Sequence, residues 1–216
     1  MDPVSRLGIV RYRRPVRWVV AVGLGLMGGS AWADRLIDIP TARKLPFETF
    51  RLELADSFSG RTQLGYLDLG VTDSIDASIR SEKYLDHSTV GTFDLSYNVL
   101  SAVPGLLPGI AAGVQDALNT TTDGRREYAC LTWREPIDTG NGEVPIDITF
   151  GMYYRSHPFG FGGVSFPLSK EVRMIGEYNG SRPAGGFEYK PTPAFGLRLL
   201  FRGPDTLADL SWTSRF

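Results

Sequence analysis

The stretch that decides the fold is Pro145-Ile-Asp-Ile-Thr-Phe-Gly-Met-Tyr-Tyr154. Its apolar side chains recur at every second position, and Asp147, Thr149 and Gly151 lie between them. Successive side chains of a β-strand point to opposite faces, so the segment has one apolar face and one polar or small face. A period of two over this length predicts a half-buried strand rather than a helix.

The same period continues through the chain from Glu48 onward, for example over Phe93–Val99 and Phe195–Phe201. Turn-forming pairs such as Asn141-Gly142 and Asn179-Gly180 separate the runs. We therefore predict about twelve strands, or ten if the two segments diluted by paired glycines are not strands. The predicted strands are 48–56, 62–71, 74–83, 89–99, 109–118, 126–135, 145–155, 161–168, 171–179, 185–190, 194–202 and 207–216.

These strands fit a membrane better than water. Apolar faces recur on nearly every strand, and no further segment is available to cover them. Most strands approach the 9–11 residues that cross a bilayer at a tilt. Because every backbone N–H and C=O must be paired internally in lipid, such a sheet must close on itself. The sequence thus predicts an all-β, closed antiparallel transmembrane β-barrel, and a soluble β-sandwich is the alternative.

The last strand carries a terminal pattern, Leu210-x-Trp212-x-Ser214-x-Phe216. It resembles the C-terminal assembly signal of bacterial outer-membrane barrels, in which apolar and aromatic residues alternate up to a final Phe. The resemblance implies that Leu210, Trp212 and Phe216 are recognised by the barrel assembly machinery.

The first residues have the order of a secretory signal peptide. A basic region precedes an uncharged stretch, Trp18–Gly29, and small residues at Ala31 and Ala33 follow it. The uncharged stretch would span only ~18 Å as a helix, short of the ~30 Å hydrocarbon core, which argues against the alternative of a membrane anchor. We predict a signal peptide at 1–33, cleavage before Asp34, a barrel domain at 34–216 and an outer-membrane location.

Composition excludes several classes of protein. Five of 23 Lys and Arg residues and one of 24 Asp and Glu residues lie in the predicted signal peptide, so the mature chain is mildly acidic. Acidic balance gives no support to nucleic-acid binding. With one cysteine, two histidines and no zinc-binding spacing, we predict no disulfide, metal or cofactor.

Charged and polar residues occupy the strand positions that alternate with the apolar ones, so they share the opposite face of the sheet. A cation facing lipid at the bilayer midplane costs about 2–4 kcal/mol, so these residues should face the lumen. Their side chains either pair across a plugged interior, which we favour, or line a polar tunnel for a hydrophilic solute. The lumen-facing candidates are Arg51, Glu53, Asp76, Arg80, Asp94, Asp147, Arg173, Glu177, Arg198 and Arg202.

An outer-membrane lipid hydrolase is the enzymatic alternative. A nucleophile needs its base within hydrogen-bond reach. His87 and Ser88 are adjacent, so an extended strand would point them to opposite faces, and Ser156 precedes His157 in the same way. Both histidines fall in predicted loops, so we predict that the protein is not an enzyme.

Aromatic residues near the predicted strand ends are typical of the girdles that barrels carry at both membrane interfaces. The same rings could stack on sugars, but the girdle is the preferred interpretation. They are Tyr84, Tyr128, Trp133, Tyr153, Tyr154, Phe159, Phe161 and Tyr178.

Several short blocks resemble the YjbH-like outer-membrane barrels. They are Ile39-Pro40-Thr41-Ala42-Arg43 with Leu45-Pro46, Leu67-x-Leu69-Gly70-Val71-Thr72-Asp73-Ser74-Ile75, Pro108 to Asp116, Phe161-Gly162-Gly163-Val164 and Ile175 to Gly180. The resemblance implies a role in exopolysaccharide export or assembly, or in envelope structure, with outer-membrane lipid, polysaccharide or other export proteins as partners. Members of that family are often much longer, and no catalytic residue carries over. A small-solute channel is the alternative within transport.

Overall fold

The computed structural model describes residues 35–85, 88–140, 142–155 and 157–216. The predicted signal peptide, its cleavage site, His87 and Ser156 lie outside the described residues. The strands are β1 (Thr49–Ser57), β2 (Thr62–Gly70), β3 (Ile75–Tyr84), β4 (Val90–Leu100), β5 (Gly109–Gln115), β6 (Arg126–Asp138), β7 (Glu143–Tyr154), β8 (Phe159–Pro167), β9 (Val172–Tyr178), β10 (Pro183–Thr192), β11 (Phe195–Arg202) and β12 (Asp205–Arg215).

The sheet closes on itself. Each strand pairs antiparallel with its neighbour in sequence, and β1 pairs with β12 from Thr49 opposite Arg215 to Ser57 opposite Leu207. The predicted closed barrel of about twelve strands is confirmed, and the sandwich alternative is wrong. The described residues contain no helix long and apolar enough to cross a membrane.

The two faces of the barrel are inverted relative to a soluble protein. Large apolar side chains such as Phe150 (62% exposed) and Ile79 (51% exposed) lie on the outside. Charged side chains such as Arg51 (2% exposed) and Asp147 (1% exposed) lie inside. An outward apolar band around an inward polar face is the pattern of a transmembrane barrel, because the band contacts acyl chains.

Most strand ends lie within two residues of the predicted ones. The ends of β5 and β6 differ by three residues, and β5 shows a physical reason. The prediction ran to residue 118, but the strand stops at Gln115 because Asp116 has a φ of 51°. That left-handed conformation cannot continue an extended strand. The Asp116 side chain then organises the following loop instead.

The interior is not wholly polar, which corrects the girdle prediction for five aromatic residues. Tyr128, Tyr153 and Phe161 are buried in the lumen, and Tyr153 packs on Phe161 with ring centroids 4.5 Å apart. Phe159 packs against the same inner cluster, and Tyr84 lines a cavity at one end of the barrel. Parity explains the error, since these residues share the inward phase of their strands. Trp133, Tyr154 and Tyr178 do face outwards.

The closing seam is the junction at which β1 pairs with β12, and its outer side is partly aromatic. Trp212 of β12 meets Phe50 of β1 edge to face, with centroids 5.2 Å apart, and Phe216 lies 6.4 Å from Phe50. The backbone N–H of Phe216 donates to the carbonyl of Glu48 (2.9 Å). Leu210, Trp212 and Phe216 thus lie on or beside the outer seam, and their role in assembly stays a prediction.

Candidate functional site

The lumen is occupied by the chain itself. Residues 35–45, called the plug segment below, lie inside the barrel before β1 begins. The Leu36 N–H donates to the Ile39 carbonyl (3.1 Å), and Arg35 bridges Pro40, so the segment starts with a tight hairpin. Residues 41–45 then lead to the start of β1. We call the end of the barrel where β1 begins the terminal end, and the opposite end the loop end.

The tip of the hairpin is bound by one carboxylate. Glu177 of β9 accepts hydrogen bonds from the backbone N–H groups of Ile37 (2.9 Å), Asp38 (2.9 Å) and Ile39 (3.3 Å). The Gln115 side chain donates to the Asp38 carbonyl from β5 (3.3 Å). Buried backbone polar groups need partners, and Glu177 supplies them where the tip has no neighbouring strand.

Apolar packing holds the same hairpin. Leu36, Ile37 and Ile39 are almost fully buried in a cluster with inward apolar side chains of the wall. Gly163 of β8 lets the hairpin approach: a Cβ there would lie 2.6 Å from Leu36 Cδ1 and 2.9 Å from Ile39 Cδ1. A glycine within a strand often marks such a close approach. Wall and plug segment therefore form one hydrophobic core.

An ion-pair network of β1, β11 and β12 contacts the plug segment through a hydrogen bond to Leu36. Arg198 of β11 pairs with Glu53 and with Asp209 (2.6 Å), and it donates to the Leu36 carbonyl (2.9 Å). Arg51 also pairs with Glu53. Each of these side chains is at most 4% exposed, so the network excludes water and depends on complete pairing.

The first described residue of the plug segment joins this network. Arg35 bonds Asp68 of β2 (2.8 Å) and pairs with Glu53 (3.1 Å). Its guanidinium stacks over the ring of Tyr66, 3.5 Å from the centroid. In a site without water, the guanidinium of arginine is well suited to stack on an aromatic ring and to pair with carboxylates.

A second carboxylate holds the plug segment nearer the terminal end. Asp147 of β7 accepts from Arg43 (2.6 Å), from Arg134 of β6 (2.8 Å) and from Arg173 of β9 (3.1 Å). The Ala42 N–H donates to Thr132 Oγ1 (2.8 Å). Residues 35–39, Ala42 and Arg43 therefore each have a polar contact with the wall.

A cavity of about 820 Å³ opens at the loop end, and we call it the vestibule. Its floor is an ion-pair group in which Arg202 contacts Asp38 (2.8 Å) and Glu82 (2.9 Å), and Arg80 contacts Glu82 (2.9 Å). Tyr84 donates to Glu82 (2.6 Å). Because Asp38 belongs to the plug segment, the vestibule ends where the plug begins.

One wall of the vestibule is an ordered loop between β5 and β6. The Asp116 carboxylate accepts from the N–H and hydroxyl groups of Thr120 (2.8 and 2.9 Å) and Thr121 (2.8 and 2.6 Å). Desolvation by itself would raise the pKa of Asp116, but the hydrogen bonds from Thr121 and Thr120 outweigh it and lower that pKa. The ionised carboxylate therefore maintains the loop.

All of the polar residues that the sequence assigned to the lumen lie on inner faces. Most join the groups described above, which bring together Arg51 with Glu53, Asp147 with Arg173, and Arg80 with Arg202 through Glu82. Asp76 and Asp94 are different. They lie on β3 and β4, and Asp94 accepts only from the Asp116 N–H (2.7 Å) among the hydrogen bonds seen.

The two positions weighed for an enzymatic role are not brought together with a described partner. His157 is exposed in the loop after β7. The described ranges hold no group of three His, Cys, Asp or Glu residues placed to bind a metal.

The plug segment was not predicted from the sequence. No strand or site was predicted before residue 48, although Leu36, Ile37 and Ile39 form an apolar group there. A further signal was Gly163, which was counted against β8 because it dilutes the pattern. An inward glycine in a strand, together with an unassigned apolar segment, could have indicated a chain lying against it.

Comparison with known proteins assigns no family to the chain. No family model and no curated protein matches the chain. Among solved structures, one described as "NanC porin structure in rhombohedral crystal form" is similar, with 12% identity and a TM-score of 0.44 over 77% of this chain and 98% of that chain. We draw no function or substrate from a similarity of this degree.

Proposed function

We propose that the protein is a non-enzymatic outer-membrane barrel, closed to solutes by its own plug segment, that serves exopolysaccharide export or assembly or envelope structure. The observation that carries the closed state is the plug segment, whose tip is bound by Glu177 and whose length is paired with the wall. A lumen occupied in this way favours a barrel that is closed to hydrated solutes.

The proposed location follows from the physics of the fold. Closed barrels with an outward apolar band are the β-structures that span membranes, and bacterial outer-membrane barrels have this form. With an even number of strands, the start of β1 and the end of β12 lie on the same side of the membrane, which in such proteins is the periplasm. The vestibule then opens to the cell exterior. Outer-membrane fractions should contain a band that migrates differently before and after boiling, whereas a soluble periplasmic protein unchanged by heating would refute the location.

The vestibule supports a role at a surface glycan. Hydroxyl, guanidinium and carboxylate groups dominate its lining, including Arg61, Arg182, Thr122 and Asp123. Its volume lies in the range of ligand-binding clefts, and this lining suits a hydroxyl-rich chain better than an apolar one. The resemblance to YjbH-like barrels favours the same partner.

Cells lacking the protein should therefore show less surface polysaccharide, or polysaccharide that is released into the medium. The wild-type gene should restore it, and a variant with Arg61→Ala and Arg182→Ala should restore it only in part. Full restoration by that variant would remove the vestibule from the proposal, and an unchanged polysaccharide in the deletion strain would refute the role itself.

Conductance in planar bilayers tests the closed state. Purified wild-type protein should give no porin-sized steps. Gly163→Leu places a side chain where Leu36 and Ile39 now lie, and it should displace the hairpin and produce steps. Gly162→Leu is the matched control, because position 162 is the adjacent outward position and its Cβ would contact Phe150.

Steady conductance steps from the wild-type protein would instead support a small-solute channel. The size of the vestibule is the observation that favours this second function.

A further inference from the structure

The plug segment leaves one part of the wall without partners. On the inner face of β3 and β4, Asp76 stands opposite Ser96, and Ser78 stands opposite Asp94. Directly opposed residues on one face have Cβ atoms about 4.5–5.5 Å apart, so the four side chains form a compact group of oxygen atoms. Gln115 at the end of β5 adds an amide oxygen beside them.

These side chains and the plug segment line a cavity of about 20 Å³. Such a volume holds one water molecule or one bare metal cation. Arg35 and Pro40 line the side that belongs to the plug segment. The cavity thus lies at the contact between the plug segment and the wall.

The oxygen atoms around this cavity are buried and unpartnered. Neither carboxylate oxygen of Asp76, nor Ser96 Oγ, nor Gln115 Oε1 has a hydrogen-bond partner, and each residue is under a tenth exposed. The backbone N–H of Leu45 approaches Asp76 but does not reach hydrogen-bond geometry. A buried acceptor without a donor costs about 1–3 kcal/mol, and a buried charge costs more.

The local charges do not balance. Arg35 faces the cavity, but it pairs with Asp68 and Glu53. Lys44 is the cation that acts on Asp76, and it is only half-buried and forms no ion pair within 4 Å in the described chain. Arg80 and Arg35 act on Asp94, but their direct ion pairs are with Glu82 and with Asp68 and Glu53. Among the described residues, Asp76 and Asp94 form no ion pair within 4 Å. The two carboxylates therefore face the cavity with no cation in direct contact.

We propose that this oxygen cluster binds a hard metal cation, such as Ca²⁺ or Na⁺, that fastens the plug segment to β3 and β4. Carboxylate, hydroxyl and amide oxygens are the ligands that such cations prefer, and water completes their shells. The cluster contains two carboxylates, and its other ligands are hydroxyl and amide oxygens. The cation neutralises Asp76 and Asp94 and supplies the partner that Ser96 and Gln115 lack.

The test compares cation-dependent stability of the detergent-solubilised full chain in a choline background. CaCl₂ or NaCl at ten times its Kd should raise the midpoint of the heat-induced gel-shift transition by about 3–6 °C. Asp76→Asn with Asp94→Asn should abolish that rise while still folding to the heat-modifiable form. Asp123→Asn, an exposed acid in the vestibule loop, should keep it.

A rise that is equal in the double variant, or no rise with either salt in the wild type, would overturn the proposal. In the latter case the carboxyl groups hold protons or water instead. The measurement is independent of conductance and polysaccharide phenotype, so its failure leaves the proposed function intact.

A direct readout uses Tb³⁺, which takes oxygen ligands like Ca²⁺ and emits when a nearby tyrosine absorbs. The ring of Tyr128 lines the cavity. Tyr128→Phe should reduce the sensitised emission at saturating Tb³⁺ without weakening competition by Ca²⁺. Emission that is unchanged in this variant and in the Asp76→Asn, Asp94→Asn variant would place the ion elsewhere and contradict the site.

Discussion

The plug segment meets two different walls. On the side of β1, β9, β11 and β12, its polar groups face carboxylates and guanidiniums that pair with them, as Glu177 and Arg198 do. On the side of β3 and β4, Asp76 and Ser96 face it with no partner from the protein. A buried polar side chain of the wall therefore holds the plug segment only where it also has a hydrogen-bond or ion-pair partner there. The first wall holds the plug segment by itself, and the second needs a group from solution.

The largest effect is expected at Arg198, on the paired side. Arg198→Met leaves the buried Glu53 and Asp209 carboxylates without their shared cation and removes the donor to the Leu36 carbonyl. Breaking a buried ion pair from one side costs about 3–5 kcal/mol. Urea unfolding of the refolded barrel in lipid vesicles measures the loss.

A variant that also carries Glu53→Gln and Asp209→Asn serves as the control, because it removes the uncompensated charges. Its free energy of unfolding should lie closer to that of the wild type. A triple variant that is less stable than Arg198→Met would mean that the ion pairs are net stabilising, and it would revise the comparison.

The next effect is expected at Glu177. Glu177→Ala takes the acceptor from three backbone N–H groups at the tip of the plug segment, and we expect a loss of about 2–4 kcal/mol. The same vesicle unfolding experiment applies, with Glu143→Ala at the exposed start of β7 as the control. A loss under about 0.5 kcal/mol would show that the tip is not held by this carboxylate.

A matched pair of hydroxyl deletions separates the two walls. Thr132→Val removes the acceptor of the Ala42 N–H and should cost about 1–2 kcal/mol. Ser96→Ala removes a hydroxyl that has no protein partner and should change stability by less than about 0.5 kcal/mol in cation-free buffer. Equal losses at both positions would erase the distinction between the walls.

The smallest effect concerns Asp116, whose N–H links the vestibule loop to Asp94. Because folding lowers the pKa of Asp116, its contribution is present above the ordinary aspartate pKa of about 3.9 and is lost as the pH falls below it. Hydrogen exchange of the Thr120 and Thr121 amides, corrected for intrinsic rates, should accelerate below about pH 4. In Asp116→Asn, exchange should be faster at neutral pH and free of this pH dependence. Protection that stays constant to pH 2 in the wild type would contradict the assignment.

The strands were predictable because their signal is local. In Ile146–Tyr154, alternation alone assigned each side chain to one face, and the inward side of Asp147 followed from the cost of a charge in lipid. The partners of Asp147 were not predictable. Arg43, Arg134 and Arg173 come from separate parts of the chain, and only strand register and the path of the plug segment bring them together.

The plug segment was out of reach for a related reason. Leu36 and Ile39 show no period, so the sequence does not say which surface they pack on. Tyr128 and Tyr153 looked like girdle residues by their position near strand ends, and their burial became visible only with apolar partners inside the barrel.

The sequence by itself determined that this chain forms a closed barrel of about twelve strands with charges directed inwards. It could do so because side-chain alternation, backbone pairing and the cost of charge in lipid act over a few residues. Only the tertiary structure decided what fills the lumen, which carboxylates bind guanidiniums and which face a cavity. Those outcomes depend on contacts between Leu36 and Gly163, or Arg35 and Asp68, that lie far apart in the chain and follow from closure of the whole sheet.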